Sequence, residues 1–346
     1  MGTKNIILAD CDKEEVEDLA KGLEKVINEK FFIISKKCNM LHKGIENAFR
    51  YIQYALFPIK IFVKRNQYNY IIGWQQFFTL FLAFYCKVLH VKKVNKIVVC
   101  NFTYKDKKGI LGKIYKKFMK YTLNNKYLDY IHVLSNDYAD KCSMKFNVER
   151  NKFIVTHFGM IDLYERLKNL KCEYKNFCLS IGRSNRDYDF LINTWKKMNE
   201  KYKLIIISDT YKTMETLPKN IIIINNLHGG DEQFKYILNC DIVIIPIKDG
   251  SICSGDSVLL NAMSFKKVVL VTKPSTLAEM YIVDKQNGVT VNKNEQDFIA
   301  LISKLLENKA EISRIGENAR RSYEEEYSRF NMGKKIGETI SNENIK

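Results

Sequence analysis

Two arginines stand three residues apart in the polar turn GRSNRD at residues 182–187, directly after the apolar run FCLSI. Such a run predicts a buried strand, which would place Arg183 and Arg186 at the strand's carboxyl end. A guanidinium group offers paired N–H donors that match two phosphate oxygens, so this pair predicts a phosphate-binding site beside Gly182. The other interpretation is a surface turn whose arginines pair with carboxylates, and the turn alone favours it.

A second candidate site is the small-residue segment SICSGDSVLLN at residues 251–261, which follows the apolar run DIVIIPI. A helix is predicted to begin near Ser257. Glycine lets the backbone approach a ligand, and the amides of a helix N-terminus attract anions. A ligand phosphate is therefore expected on the amides of residues 255–257. The alternative is an ordinary helix cap, in which Asp256 or Ser257 occupies those amides itself.

Two further positions in the same half are weaker candidates for ligand contact. Glu279 lies in STLAEMY, on the helix predicted after the last long apolar run, and Leu227 ends the run IIIINNL. A lone glutamate on a helix is usually solvated. Neither residue specifies a ligand without the elements around it.

Those elements are apolar strand-like runs that alternate with helical patterns, in two series along the chain. The first series predicts strands at residues 5–9, 31–35, 68–73, 96–100, 130–134 and 153–156, with helices at 13–28, 75–89, 110–127 and 136–146. The second predicts strands at 177–181, 203–207, 220–224, 241–245, 268–272 and 288–291, whose Ile and Val content is typical of strands covered on both faces.

This alternation predicts βαβ crossovers, and therefore an α/β fold with two Rossmann-like, doubly wound domains. We predict an N-terminal domain at residues 1–163, a hinge at 164–176, a C-terminal domain at 177–330 and a tail helix at 331–346. In such sheets ligands bind at the carboxyl ends of the strands. The first strand of either half is followed by no GxGxxG, and the chain has no Walker loop, which argues against a dinucleotide oxidoreductase and a P-loop ATPase.

The order and spacing of the C-terminal segments also resemble a known family. Residues 177–330 resemble the donor-binding domain of the glycosyltransferase group 1 superfamily, family 4 of the glycosyltransferases, whose members have the GT-B fold. The matching stretches are LSIGRSNRDYDFLINTW, IIIINNL, DEQFKYILNCDIVIIPI, SGDSVLLNAMSFKKVVLVT and LAEMYIVDKQNGVTV. The N-terminal half resembles the family only in its layout.

The resemblance implies two domains facing a cleft, with a nucleotide-sugar donor held by the C-terminal domain and the acceptor by the N-terminal one. Arg183 matches the family's arginine that contacts the donor diphosphate. Tyr188 stands where the family has a lysine, so Arg186 is the substitute candidate. The predicted donor-binding residues are Gly182, Arg183, Arg186, Leu227, Ser254, Gly255, Asp256, Ser257, Asn261 and Glu279.

The main departure from the family concerns its two glutamates spaced eight residues apart. Cys253 and Asn261 stand at those positions here. Asn261 can still bond ribose hydroxyls, whereas Cys253 cannot replace a carboxylate that reaches the donor sugar. Asp256 is a hypothetical source of that carboxylate.

The resemblance further implies retention of anomeric configuration, with no bound metal and no cofactor besides the nucleotide-sugar substrate. Catalysis would then depend on electrostatic stabilisation of the departing diphosphate by Arg183, Arg186 and the helix N-terminus at Ser257. In the N-terminal domain the candidate catalytic residues are Asp10, Asn101 and His157, which follow predicted strands, although a structural role is the commoner use of each. The pair Asp10 and Asp12 is similar to a metal-binding D-x-D motif but is equally able to cap the next helix.

The net charge of +17 is concentrated in residues 30–120, which hold 19 Lys and Arg against 2 Asp and Glu. A field of this sign attracts nucleic acid, anionic lipid or phosphorylated substrates. Residues 110–127 form a basic amphipathic pattern in which Lys113, Lys116, Lys117 and Lys120 interrupt apolar residues at helical spacing. It predicts either a packed helix with a solvated lysine face or a helix that faces a membrane or acceptor.

The odd number of cysteines, nine, and the lack of a CxxC pair argue against disulfides and zinc. With no signal sequence recognised and residues 77–86 too short to span a bilayer, we expect a cytoplasmic protein peripheral to the inner face of the cell membrane. The expected function is transfer of a sugar to a lipid-linked or glycan acceptor in cell-surface polysaccharide synthesis. The expected donor is a UDP-sugar, because UDP is the commonest nucleotide among relatives.

Three other functions stay open at this point. The first is a nucleotide-sugar epimerase of GT-B fold, and the second is a noncatalytic partner whose donor site has degenerated. The third is a basic polyanion-binding protein. Nucleic acid is not expected as a partner, because no zinc finger, RNA-recognition signature or helix-turn-helix stands out.

Overall fold

The computed structural model describes residues 4–38, 45–227, 230–252 and 254–342. The chain divides into two units. The first is formed by Met1–Ile161 together with Ser328–Lys346, and the second by Asp162–Tyr327. The first boundary lies two residues before the predicted one, and the chain returns to the first unit at its C-terminus.

The first unit is built on a sheet of six parallel strands in the order β2-β1-β3-β4-β5-β6. The strands are β1 (Lys4–Ala9), β2 (Phe31–Ser35), β3 (Tyr68–Gly73), β4 (Lys96–Val99), β5 (Tyr130–Val133) and β6 (Phe153–Val155). The helices are α1 (Glu17–Ile27), α2 (Ile45–Val63), α3 (Gln76–Val88), α4 (Gly109–Leu123) and α5 (Asn136–Phe146).

The second unit has a sheet of the same kind, with six parallel strands in the order β12-β11-β10-β7-β8-β9. They are β7 (Phe177–Ile181), β8 (Lys203–Ile207), β9 (Ile221–Ile224), β10 (Ile242–Ile245), β11 (Val268–Lys273) and β12 (Val289–Asn292). The helices are α6 (Tyr164–Leu167), α7 (Tyr188–Trp195), α8 (Asp231–Asn239), α9 (Asp256–Ser264), α10 (Thr276–Tyr281), α11 (Glu295–Glu307) and α12 (Lys309–Ser322). One last helix, α13 (Arg329–Ser341), belongs to the first unit.

Alternate residues of the first sheet pack into two separate cores. Ile6 and Leu8 face a core shared with α2, α3, α4 and α5. Ile7, between them, faces a core shared with α1 and α13. Because successive side chains of a strand point to opposite faces, a run of apolar residues such as β1 is buried only when helices cover both faces.

Helix α13 packs closely against α1 through glycines. A side chain at Gly22 of α1 would place its Cβ 2.0 Å from the carbonyl oxygen of Phe330, and one at Gly333 would lie 2.3 Å from that of Leu19. Only hydrogen fits at both positions. The C-terminal helix therefore completes the second face of the first sheet.

The predicted α/β architecture is confirmed, and each predicted strand is present to within a residue at either end. The predicted hinge at 164–176 contains the short helix α6. Helix α2 was not predicted. Residues 77–86, predicted to be a buried helix, lie in α3, where Leu80 and Leu82 are fully buried. Of the helices that the structure describes, none combines the length and apolarity needed to cross a membrane.

The substitution Gly22→Ala should lower the free energy of unfolding of the first unit by about 1–3 kcal/mol, since the added methyl forces the two helix backbones apart. The control is Gly337→Ala on α13, where the nearest atoms to the new Cβ would be Val26 Cβ at 3.3 Å and Leu23 Cα at 3.6 Å. Urea denaturation followed by Trp74 fluorescence in a Trp195→Phe background reports this unit, because Trp74 stacks on Arg329 at the start of α13. Equal stability of the two alanine variants would contradict the packing.

Candidate functional site

A pocket of about 430 Å³ lies in the second unit at the carboxyl ends of β7 and β8 and the start of α9. Seven of the ten predicted donor-binding residues line it, namely Gly182, Arg183, Arg186, Leu227, Ser254, Gly255 and Ser257. Ile181, Ser184, Ile207, Ser208, Asp209, Gln233 and Val258 complete the lining. Segments more than seventy residues apart in sequence thus meet at the sheet edge where such folds bind ligands.

The turn after β7 is fastened to the loop after β10 by Asn185. Its amide Nδ2 donates to the carbonyl oxygens of Asp249 and Ile252 at 2.9 and 3.2 Å, and its Oδ1 accepts the Asp249 N–H at 2.8 Å. Asn185 has φ +54°, a left-handed conformation that asparagine tolerates. One side chain therefore holds together the two loops that carry the predicted phosphate contacts.

Arg186 lies between two glycines in this arrangement. A Cβ at Gly182 would be 2.9 Å from its guanidinium nitrogens, and a Cβ at Gly255 would be 2.6 Å from Nη2. Both glycines have positive φ, +149° and +112°. The guanidinium needs this space, so a side chain at either glycine would displace it.

The hydrogen-bond capacity of Arg186 is only partly used. Nη1 donates to the carbonyl oxygens of Ser184 and Ser254 at 3.0 and 3.4 Å, whereas Nε is buried and has no partner among the described residues. Burial lowers the pKa of Arg186, and the neighbouring Tyr188 and Asp256 oppose that shift. A guanidinium stays protonated in proteins, so a partly buried cation with one unused N–H donor lines the pocket.

The N-terminus of α9 adds a second electropositive group. Gly255 is its N-cap residue, and no side chain of the described chain caps the helix. The sequence had left open whether Asp256 or Ser257 fills those amides, and neither does. Ser257 and Val258 of the first turn line the pocket, so the helix end is available to an anion there.

Arg183 is arranged differently, because a carboxylate already holds it. Its Nε and Nη2 donate to Asp209 Oδ1 and Oδ2 at 2.9 and 2.7 Å, a bidentate ion pair. The arginine side chain is 74% exposed and that of Asp209 only 16%. Asp209 was missed by the sequence analysis, although a charged residue just past the predicted strand at 203–207 was a usable signal.

Three predicted donor-binding residues do not line the pocket. Asp256 is the first residue of α9, and Glu279 is exposed on α10. Asn261 lies one helical turn after Ser257, is 8% exposed, and its Oδ1 is buried with no partner in the described chain. Cys253, at the position of one family glutamate, lies outside the described residues. The roles assigned to these residues stay predictions.

Tyr188, which stands where the family lysine was expected, serves the turn rather than the pocket. Its hydroxyl donates to the carbonyl oxygen of Gly182 at 2.7 Å, and burial raises its pKa to about 12. The phenol is therefore neutral at physiological pH. Arg186, which lines the pocket, stays the predicted substitute for that lysine.

In the first unit, Asp10 is held by two polar partners. Its Oδ2 accepts from Tyr54 Oη at 3.0 Å and from Gln75 Nε2 at 2.6 Å. Burial and the nearby Asp10 carboxylate both raise the pKa of Tyr54, so the tyrosine keeps its proton and remains the donor. This carboxylate is thereby fixed at the end of β1.

The other two candidates of that unit lie at the same edge of the sheet. Asn101 follows β4 with φ +52°, and its buried Oδ1 has no partner among the described residues. His157 follows β6. In the sheet, one strand lies between β1 and β4 and one lies between β4 and β6. The ends of each of these pairs are therefore roughly 10 Å apart. The three residues therefore do not form one compact cluster, and their catalytic roles stay predictions.

A histidine that the sequence analysis did not consider connects two of these loops. His132 of β5 is fully buried, its Nδ1 accepts the Asn101 N–H at 3.1 Å, and its Nε2 lies 2.7 Å from Thr156 Oγ1. Burial lowers its pKa to about 3. His132 is thus neutral and structural, with Nε2–H donating to the threonine.

The D-x-D pair and the basic helix can be placed as well. Asp12 caps the short helical turn Lys13–Glu15 and forms an ion pair with Lys37 at 2.6 Å. In the described ranges no three His, Cys, Asp or Glu side chains are grouped as metal ligands. Lys113, Lys116, Lys117 and Lys120 are all exposed on α4.

Comparison with known proteins gives the context for this site. Residues 165–322 match the family model described as Glycosyl transferases group 1. No curated protein sequence matches the chain. Among solved structures, Anabaena HepE in complex with UDP is similar over 98% of this chain and 100% of its own, with TM-score 0.61 and 13% identity. A glycosyltransferase from Rickettsia africae is similar over 99% of both chains, with TM-score 0.60 and 16% identity.

A putative UDP-N-acetylglucosamine 2-epimerase from Listeria monocytogenes also has this fold, with TM-score 0.58, 10% identity and coverage of 99% of this chain and 97% of its own. At such identities the structural likeness establishes the fold alone, whereas the family match establishes the domain type. The predicted resemblance is confirmed. Residues 165–322 are a glycosyl transferases group 1 domain, and the whole chain has the GT-B fold.

Proposed function

We propose that the second unit binds the diphosphate of a nucleotide-sugar donor between Arg186 and the N-terminus of α9. The main support for this proposal is the buried Arg186 Nε. It has no partner among the described residues and lies beside an uncapped helix end. Leaving a buried charged donor unsatisfied is costly, and a phosphate oxygen is the ligand that removes this cost. The family assignment supplies the chemical class of that ligand.

We propose that the nucleotide of the donor is UDP. Support comes from HepE, whose structures contain UDP and UDP-glucose. The pocket offers both kinds of surface that a nucleotide needs, since Ile207 and Leu227 are apolar and Ser208 and Gln233 are polar.

Transfer would follow from charge stabilisation at this site. As the bond between sugar and diphosphate breaks, negative charge grows on the leaving oxygen. Arg186 and the α9 amides are fixed before the reaction begins, so they stabilise that charge with little reorganisation. We propose that the reaction retains anomeric configuration and uses these protein groups in place of a metal ion.

The acceptor is proposed to be lipid-linked or a growing glycan in cell-surface polysaccharide synthesis, at the cytoplasmic face of the membrane. Its support is the charge distribution, since residues 30–120 alone carry a net +17. An anionic membrane surface and the phosphates of a lipid carrier are both attracted by such a field.

Replacing Arg186 by alanine should raise the dissociation constant for UDP roughly ten- to hundredfold, the usual cost of a lost charge-assisted hydrogen bond. The measurement is a titration by calorimetry, supported by the shift in melting temperature on adding UDP. Arg321→Ala is the matched control, because Arg321 is exposed on α12 and outside the pocket. If Arg186→Ala and Arg321→Ala bind UDP alike, Arg186 does not hold the diphosphate.

Asp209→Asn should tighten UDP binding by up to about fivefold, because the carboxylate that neutralises Arg183 and repels a diphosphate is removed while the side-chain shape is kept. Arg183→Ala should weaken binding instead. Both constants are read from the same titration at low and high salt, and the gain should shrink as salt screens the charges. A loss of affinity in Asp209→Asn would mean that the carboxylate itself orients the donor site.

A further inference from the structure

Helix α2 exposes a continuous apolar stripe on the face turned away from the core. Phe49, Ile52, Leu56, Ile59 and Val63 recur at intervals of three and four residues, and their exposed fractions are 53, 51, 58, 42 and 71%. On the other face Tyr54 and Ile61 are buried in the core of the first unit. The helix is therefore apolar on both faces, and only one face is used by the fold.

The first turns of α4 carry a second group of exposed apolar residues. Ile110, Leu111 and Ile114 are 77, 79 and 58% exposed, although the sequence analysis had included them in the apolar face of an amphipathic helix. Lys107 Nζ lies 4.7 Å from the ring centre of Tyr51 on α2 and 4.5 Å from that of Tyr115 on α4. The two helices thus approach each other at this end, on the same face of the sheet.

We call the exposed apolar residues of both helices the apolar platform: Phe49, Ile52, Leu56, Ile59, Val63, Ile110, Leu111 and Ile114. Exposed apolar residues concentrated in this way on a folded protein mark a contact site. Isolated exposed apolar residues are ordinary, but eight on two helices that cover the same face of one sheet are not.

The two helices also carry exposed cations. Lys60 is exposed on α2 and Lys64 directly after it, and Lys113, Lys116, Lys117 and Lys120 are exposed on α4. Between residues 45 and 123 the sequence has only two acidic residues, Glu46 and Asp106, and Asp106 forms an ion pair with Lys145. A second copy of this chain would bring like charges together, whereas an anionic bilayer offers both a complementary charge and an apolar interior.

We propose that the apolar platform inserts into the headgroup region of a bilayer that contains anionic phospholipid, with these exposed lysines on the phosphates. The inference deepens the proposed function, because it identifies the surface that would bring the first unit to a lipid-linked acceptor. Membrane binding itself does not depend on the donor site, which lies in the other unit. The two proposals can therefore fail separately.

The test is sedimentation of the full chain with vesicles of phosphatidylcholine alone and of an equimolar mixture with phosphatidylglycerol. The double variant Leu56→Ser, Val63→Ser keeps every charge but should bind the mixed vesicles at least about tenfold more weakly, because two inserted side chains are lost. Met144→Ser is the matched control, since Met144 on α5 is 77% exposed and outside the platform. It should bind as the unchanged protein does.

Lys113→Gln, Lys117→Gln should also weaken binding to the mixed vesicles, and added salt should reduce but not abolish binding of the unchanged chain. If only the lysine variant loses binding, the contact is purely electrostatic and insertion is wrong. Equal binding of all variants would also overturn the proposal, as would self-association that the double serine variant abolishes. UDP titration of each variant separates the two proposals: donor affinity should be unchanged whatever the vesicles show.

Discussion

The partly buried guanidinium of Arg186, whose Nε is fully buried, is the constraint on which the functional site depends. Gly182 and Gly255 must lack side chains to leave it space, and Asn185 must join the loops after β7 and β10 to hold it there. The helix that begins after Gly255 points its uncapped end into the same pocket. An unpaired buried donor and an uncapped helix end lower the stability of the fold, and a bound anion would offset that cost. Both features are expected of a preorganised phosphate site.

Both units bring their candidate residues together through the same sheet architecture. Parallel strands covered on both faces bring all their carboxyl ends to one edge, so residues distant in sequence become neighbours. The first unit needs α13 to cover its second face, and the glycines at the contact with α1 show how close that packing is. The first sheet therefore depends on α13, which is far from every strand of that sheet in sequence.

The strands were predictable because Ile- and Val-rich runs separated by helical patterns admit few other folds. Helix α2 was not predictable, because both of its faces are apolar and Pro58 lies inside it, which removes the usual amphipathic signal.

The pocket was largely predictable from turns that follow strands. The pairing of Arg183 with Asp209 was not, since it requires β7 beside β8, and strand order is absent from the sequence. For the same reason the distances among Asp10, Asn101 and His157 could not be predicted, because they depend on the order of β1, β4 and β6 in the sheet.

The most direct test of the donor-site account is a crystal structure of the full chain grown with UDP. The account predicts diphosphate oxygens within hydrogen-bonding distance of Arg186 Nε and of the first amides of α9. UDP bound with its diphosphate elsewhere, leaving Arg186 Nε still without a partner, would contradict it.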